Sequence, residues 1–308
     1  MGEGDKVEGS GPSPEVEKKA AEPTSHPVVL FVESDKKIID VLRIVLRDAG
    51  FTDVRHADTV EGTRTILETE PVDLVLAEAN LSDGAVSPLF REMRESRLGL
   101  DPFVPIIAMV SSPDPDLIRG LVDNGPDDVI LKPFSAKALS QRIERIIEDR
   151  KPFVVTRDYV GPDRRAKPRT DSTSARPLLV PNTLKQKIKK TPAREEFEQN
   201  LKKAVVAIAE ARVAAQAGGV LYQIDRILLN LAEGKRGEAE LAALDEIISL
   251  SSNIKIGASA TRYAGEIIVF NTVLGLAQSL RASDAGQGGE AIGQLQELAG
   301  TIRKAFQS

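Results

Sequence analysis

Residues 28–150 read as an α/β domain built on a five-stranded parallel sheet, and residues 195–308 as an all-α helical bundle. Five short apolar runs alternate with five stretches of helical periodicity, and the middle run, residues 72–78, is apolar enough to be buried on both faces. Strands alternating with helices imply a parallel sheet covered on both sides. Beyond residue 195 the apolar residues recur at helical spacing.

The first strand is Val28-Val29-Leu30-Phe31-Val32. Asp35 caps a helix whose apolar stripe is Ile38, Val41, Leu42, Val45 and Ala49, and Gly50 stops it. A strand over 52–56 and a helix over 59–70 follow. The central strand comes after Pro71 and ends in Glu78, just ahead of the turn-rich Asn80-Leu81-Ser82-Asp83-Gly84. Ser87-Pro88 reads as a cap with proline in the first turn of a helix to about residue 97. Then come a strand over 104–110, a helix over 116–123, a strand over 128–131 and a helix capped by Ser135 that reaches Asp149. Chemistry in an open parallel sheet gathers beyond the carboxyl ends of its strands, which is where Glu78 falls.

Composition narrows the function classes. The 308 residues hold no cysteine, so disulfides, zinc-thiolate sites and thiol nucleophiles are excluded. The two histidines are His26, in a polar stretch, and His56, at the end of a strand, which argues against a histidine metal site or a Ser-His pair. Aromatics make up 4% and tryptophan is absent, so the cores must be built from Leu, Ile, Val and Ala. No apolar run approaches the roughly 18 residues of a membrane span, and no secretory signal is evident. A cytoplasmic protein without membrane insertion is expected. Residues 1–27, rich in Gly, Glu, Lys, Pro and Ser, are expected to form a disordered tail.

Residues 151–194 read as a basic, proline-rich linker, with twelve Lys or Arg against three Asp, whereas residues 28–150 carry fifteen basic against twenty-three acidic groups. Such a segment lies across the acidic domain, stays a solvated tether, or meets an anionic partner such as nucleic acid or a membrane surface. Aromatic interleaving is limited to Phe153 and Tyr159, which argues against nucleic acid.

The strand order, the length and the Lys132-Pro133-Phe134 tripeptide after the fifth strand make residues 28–150 resemble a bacterial response-regulator receiver domain. The resemblance implies a flavodoxin-like (βα)5 fold with strand order 2-1-3-4-5. It also implies a site in which two acidic residues after the first strand and an aspartate after the third hold magnesium. That aspartate accepts a phosphoryl group, whose oxygens are bound by a Thr or Ser after the fourth strand and a lysine after the fifth. Transferred to this chain, the acidic pair falls on Glu33 and Ser34, the phosphoacceptor on Glu78, the hydroxyl residue on Val110, the switch aromatic on Val129 and the lysine on Lys132. Asn80 takes the place of a carbonyl metal ligand.

Of the main chemical positions, Lys132 alone keeps the family's residue type. Glu for Asp moves each carboxylate outward by a methylene, Ser34 removes a charge, and Val110 keeps the shape of threonine without its hydroxyl. Ser111 compensates only if the register is shifted by one. The resemblance therefore implies a pseudo-receiver that is not phosphorylated, with Glu78 reaching toward Lys132 much as a phosphoryl-aspartate would. No cofactor is expected, or at most residual magnesium on Glu33, Glu78 and Asn80. A relic ion pair without signalling and residual phosphoryl chemistry are the competing readings. The Val160-Gly161-Pro162-Asp163-Arg164-Arg165 piece is similar to a short element found beside receivers in other bacterial signalling proteins.

In the last third, five stripes stand out: Phe197, Leu201, Val205, Ile208 and Ala211; Leu221, Ile224, Leu228 and Leu231; Leu241, Leu244, Ile248, Ser251 and Ile254; Ile267, Phe270, Leu274, Ala277 and Leu280; Ile292, Leu295, Leu298, Ile302 and Phe306. Gly218-Gly219, Gly234, Gly257 and the region 286–289 read as breaks, and such helices bury their stripes best in an antiparallel bundle. Ser251 through Ala260 is similar to the signature of histidine phosphotransfer domains, which puts the phosphorylatable position on Ser252 and the neutralising lysine on Lys255. No histidine follows His56, so a phosphohistidine relay through the bundle is excluded; a generic dimerisation or docking bundle is the competing reading.

These readings point to a non-enzymatic two-component signalling adaptor. Its partners would be a histidine kinase or another regulator, with a homodimer through the bundle as a further contact. By resemblance the partner face is expected over residues 113–131. The alternatives are a phosphate-accepting, magnesium-dependent response regulator in a phosphorelay, and nucleic-acid binding through the basic segment.

Overall fold

The structure is a computed structural model that describes residues 26–165, 176–232, 237–282 and 289–306. The expected tail up to residue 25 and the breaks expected at Gly234 and over 286–288 lie outside the described residues.

Strands β1 (Val28–Val32), β2 (Asp53–Ala57), β3 (Leu74–Glu78), β6 (Ile106–Val110) and β7 (Asp128–Leu131) form one parallel sheet in the order β2-β1-β3-β6-β7. This is the flavodoxin-like order. Successive side chains of a strand point to opposite faces, and two cores result. Val29, Phe31, Leu74, Leu76, Ile107 and Met109 meet α1 (Lys36–Asp48) and α5 (Ala136–Glu148) on one face. Leu30, Val32, Val75, Ala77, Ile106 and Ala108 meet α2 (Val60–Thr69), α3 (Ser87–Arg94) and α4 (Pro115–Val122) on the other. β1 and β3 are buried along their whole lengths, which is why the central run is continuously apolar.

Helix starts follow local chemistry. Asp35, Thr59, Asp114 and Ser135 each accept a hydrogen bond from a first-turn N–H. Ser87 differs from its expected role. The N-cap position falls on buried Val86, whose N–H is already spent on the Ala79 carbonyl across the two-residue hairpin β4 (Asn80–Leu81) and β5 (Gly84–Ala85), and Ser87 is already helical. The same helix stops at Arg94, short of residue 97, because Ser96 adopts a left-handed backbone with φ of 58°.

In its described part the segment 151–194 is more than a linker. β8 (Phe153–Val155) and β9 (Val160–Pro162) pair antiparallel, Leu178 bridges to Phe153, and α6 (Thr183–Lys189) inserts Leu184 into the sheet's α1/α5 core. The reason is a handful of apolar residues hidden among prolines and charges; Phe153 and Leu184 are fully buried. The Phe153 ring lies against two guanidinium groups, Arg94 at 5.1 Å and Arg150 at 5.0 Å, and both bind the Asp127 carboxylate. Arg94 also donates to the carbonyls of Gly125, Pro102 and Val104, and its burial lowers its pKa to about 10 against the opposing pull of Asp127. Alongside, β9 presses on the loop before β7. A Cβ on Gly125, where φ is +81°, would come within 2.7 Å of the Val160 carbonyl oxygen, and one on Gly161 within 2.9 Å of the Gly125 Cα.

The helical half contains α7 (Arg194–Ala232), α8 (Glu238–Gly257), a 3-10 turn (Ala264–Glu266), α9 (Ile267–Ala282) and α10 (Gly289–Phe306). Gly218-Gly219 does not break α7. A side chain at Gly219 would collide with Leu250 at 2.8 Å and Arg157 at 2.9 Å, so the glycine is a point of close approach within a continuous helix. The first half of α7 closes over the hairpin through Ile208, Leu201 and Val205; its second half packs with α8, α9 and α10 around Ile224, Ile247, Phe270, Val273 and Leu295. Contacts of Gly219 with Leu250, Gln223 with Glu246 and Arg226 with the Ala239 carbonyl show α7 and α8 running antiparallel.

Among the described residues, residues 194–230 form one helix long and apolar enough by composition to cross a membrane, although no such run is obvious from sequence alone. Part of its apolar surface enters these two cores while Val206, Tyr222 and Leu229 stay exposed, and within it Glu210 pairs with Arg262 and Arg212 with Glu95.

Two outcomes are expected. Gly161→Ala should cost about 1–3 kcal/mol in urea unfolding; an unchanged midpoint would mean that β9 and the Gly125 loop part freely. Arg64 makes two 2.9 Å hydrogen bonds to Glu92, holding its carboxyl below the usual carboxylate range. A depressed folded-state pKa gives stability that is present above the unfolded pKa and lost as pH falls through the folded one. Glu92→Gln should therefore cost about 0.5–1 kcal/mol near neutrality, given partial exposure of the pair. Thermal melts of the two proteins should converge on acidification.

Candidate functional site

At the carboxyl edge of the sheet, Glu33 follows β1, Glu78 ends β3, Val110 ends β6 and Lys132 follows β7. The parallel register brings these ends together around a cleft of about 310 Å³. The Lys132 ammonium forms ion pairs with Oε2 of both Glu33 and Glu78, and all three side chains are largely buried. The second oxygen of Glu33 accepts the N–H groups of Ser34 at 3.0 Å and Asp35 at 2.9 Å. Two carboxylates thus share one cation, and one of them also takes the backbone at the start of α1.

Glu78 meets Lys132, and Glu33 does so as well, a contact the residue-by-residue transfer did not foresee. The hydroxyl in the cleft is that of Ser111, whose Oγ lies 3.5 Å from Glu78 Oε2; Val110 is buried. Ser34 and Asn80 line the cleft. Val129, in the switch-aromatic place, packs half-buried on the α2–α4 side of the sheet. His56 packs against Phe31 with the rings tilted by 36° and centroids 4.6 Å apart, and its Nε2 lies 2.9 Å from the Glu33 carbonyl oxygen.

Ser252 and Lys255 are not part of this cleft. They lie on α8 in the bundle, where the Ser252 hydroxyl donates back to the Ile248 carbonyl at 2.8 Å and Lys255 is exposed. Sequence reasoning passed over Arg94, Asp127, Arg150 and Phe153. The available signal was an arginine at a core position, one residue past Met93 on a helix whose other buried residues are Leu89 and Phe90.

Residues 29–144 match the response regulator receiver domain family, and this segment is a receiver domain. Along 128 residues the chain is 29% identical to the phosphate regulon transcriptional regulatory protein PhoB of Escherichia coli (strain K12), covering 41% of this chain and 54% of that protein. Over 116 residues it is 33% identical to the DNA-binding response regulator MtrA of Mycobacterium tuberculosis (strain ATCC 25618 / H37Rv), covering 37% and 48%. The chemotaxis response regulator CheY4 of Vibrio cholerae aligns at 20% identity and a TM-score of 0.36, over 39% of this chain and 98% of that one. The chain spans about half the length of the curated relatives it matches.

Lys132→Ala would leave two buried carboxylates facing each other without a cation. Breaking a buried pair in this way should cost about 3–5 kcal/mol, read as a lowered urea midpoint. A loss near zero would mean that water already screens the cleft.

Proposed function

We propose that the chain is a non-enzymatic two-component adaptor whose receiver works in a single state, without phosphorylation. One observation carries this reading: the Lys132 ammonium already joins Glu33 to Glu78. A phosphoryl group on the acceptor would recruit that lysine from solvent or from a neighbouring acid. Here the longer Glu78 side chain recruits it permanently.

The donor set does not suit magnesium. That ion asks for near-octahedral oxygen ligands at about 2.0–2.1 Å, with one or two carboxylates and waters. The facing oxygens of Glu33 and Glu78 are spent on an ammonium, and a neutral serine stands at the second acidic position.

Receiver domains interact with histidine kinases or other signalling proteins, and we assign this one the same kind of partner. The face over residues 113–131 offers Leu131, 44% exposed, beside α4. The bundle supplies a second surface, either as a degenerate phosphotransfer-like module around Ser252 and Lys255 or as a dimerisation module. Four of the basic segment's described charges are answered within the chain: Lys187 and Lys189 by the receiver's Asp73 and Glu148, Arg157 by Glu246 on α8 and Arg165 by Asp163 of the segment itself. This supports a segment lying across the acidic receiver over one that captures nucleic acid.

The test is an amide NMR spectrum of the full-length chain, recorded with and without Mg²⁺ plus beryllofluoride, a phosphoryl mimic on carboxylates. The expected result is no shift at Glu78, Ala79, Ser111 or Lys132. Saturable shifts centred on those residues would overturn the single-state reading and restore the phosphate-accepting regulator.

A further inference from the structure

Where the receiver meets the bundle, the C-terminal end of α3 faces α7 and the end of α8 across a cleft of about 560 Å³, a volume in the range of small-molecule sites. We propose that this cleft binds a phosphate-bearing small molecule of the nucleotide class. The site lies apart from the Lys132 cleft, and the proposal does not depend on how that cleft works.

Charge comes first. Arg91, Arg97 and Arg212 line the cleft against a single carboxylate there, Glu95, while the charge of Arg94 is answered by Asp127 behind it. Glu95 is shared, by Arg97 on one oxygen and by Arg212 at 3.1 Å on the other. Arg212 is the informative member. Its side chain is only 23% exposed, yet Glu95 is its one ion-pair partner among the described residues, which leaves most of its five N–H donors unspent. Planar guanidinium groups with free donors bind phosphate in forked geometry.

A second observation is independent of charge. Gln216 also lines the cleft, and although the residue is only 3% exposed its amide is not among the side-chain atoms sealed away without a partner. An amide in that position offers both a donor and an acceptor to a ligand in the cleft. Asn253 lies on the opposite wall on α8. The remaining wall is apolar, formed by Val205, Ile208 and Val213, with Ile256, 77% exposed, at the mouth. Guanidinium groups for phosphate, amides for a polar edge and an aliphatic wall for a flat body together match a nucleotide better than a bare anion.

Isothermal titration of the full-length chain with AMP and GMP, alongside adenosine, guanosine and inorganic phosphate, tests this. One site per chain is expected for at least one mononucleotide, with its nucleoside and inorganic phosphate each weaker by about ten-fold or more. Arg212→Ala and Gln216→Leu should each weaken binding by about ten-fold or more. Arg119→Ala, which removes the same charge from an exposed ion pair on α4, should leave affinity unchanged. Because Arg212→Ala also loosens the contact with Glu95, Gln216→Leu carries the test if the arginine variant does not fold. The proposal is overturned if neither mononucleotide binds, if phosphate alone binds as tightly, or if Gln216→Leu binds like wild type.

Discussion

Asp127 holds the architecture together. Its carboxylate takes Arg94 from α3 and Arg150 from the end of the receiver, and it accepts the Ile106 N–H at the start of β6. The two guanidinium groups it fixes are the surfaces against which Phe153 packs. Phe153 in turn anchors the hairpin on which the first half of α7 lies. Buried charges are tolerated where every partner is supplied. Here the supply comes from three carbonyls and one acid around Arg94. The receiver, the hairpin and the long helix are therefore consecutive layers resting on one carboxylate.

The opposite edge of the sheet solves a related electrostatic problem with different parts. Glu33 and Glu78 face each other at the carboxyl ends of β1 and β3, and a single ammonium keeps both ionised groups compatible with burial. A side chain longer by one methylene at position 78 is well suited to this arrangement. The two ends of the sheet thus share a theme of acids answered by internal cations, and the cations come from within the chain.

Much of this was legible in the sequence. The alternation of strand-like and helical stretches placed the five strands of the sheet, clearest for β1, β3 and β6, which are buried on both faces, and the caps Asp35 and Ser135 fall at the helix starts, where each accepts a first-turn N–H. The pairing of Glu78 with Lys132 followed from the resemblance to receiver domains, which puts both residues at the carboxyl edge of the sheet. What escaped were features set by distant contacts. The second hold on Lys132 by Glu33 depends on side-chain reach across two strands. Gly218-Gly219 looked like a stop, since local propensity cannot show that Leu250 and Arg157 crowd that spot from elsewhere in the chain. Phe153 sat among prolines and charges, and its burial depends on Arg94 and Arg150, 59 and 3 residues before it.

The continuity of α7 bears on how this molecule can be divided. At about 1.5 Å of rise per residue, its 39 residues span roughly 58 Å, and the two halves of that rod belong to different cores. A cut at residue 150 would strip Phe103 of its ring contact with Phe153, and a cut at residue 194 would unroof the hairpin by removing Ile208. A fragment that retains the receiver's native surface has to run well into α7, so the natural seam for dissection falls inside a helix, near Gly218-Gly219, and the loops on either side offer no equivalent place to cut.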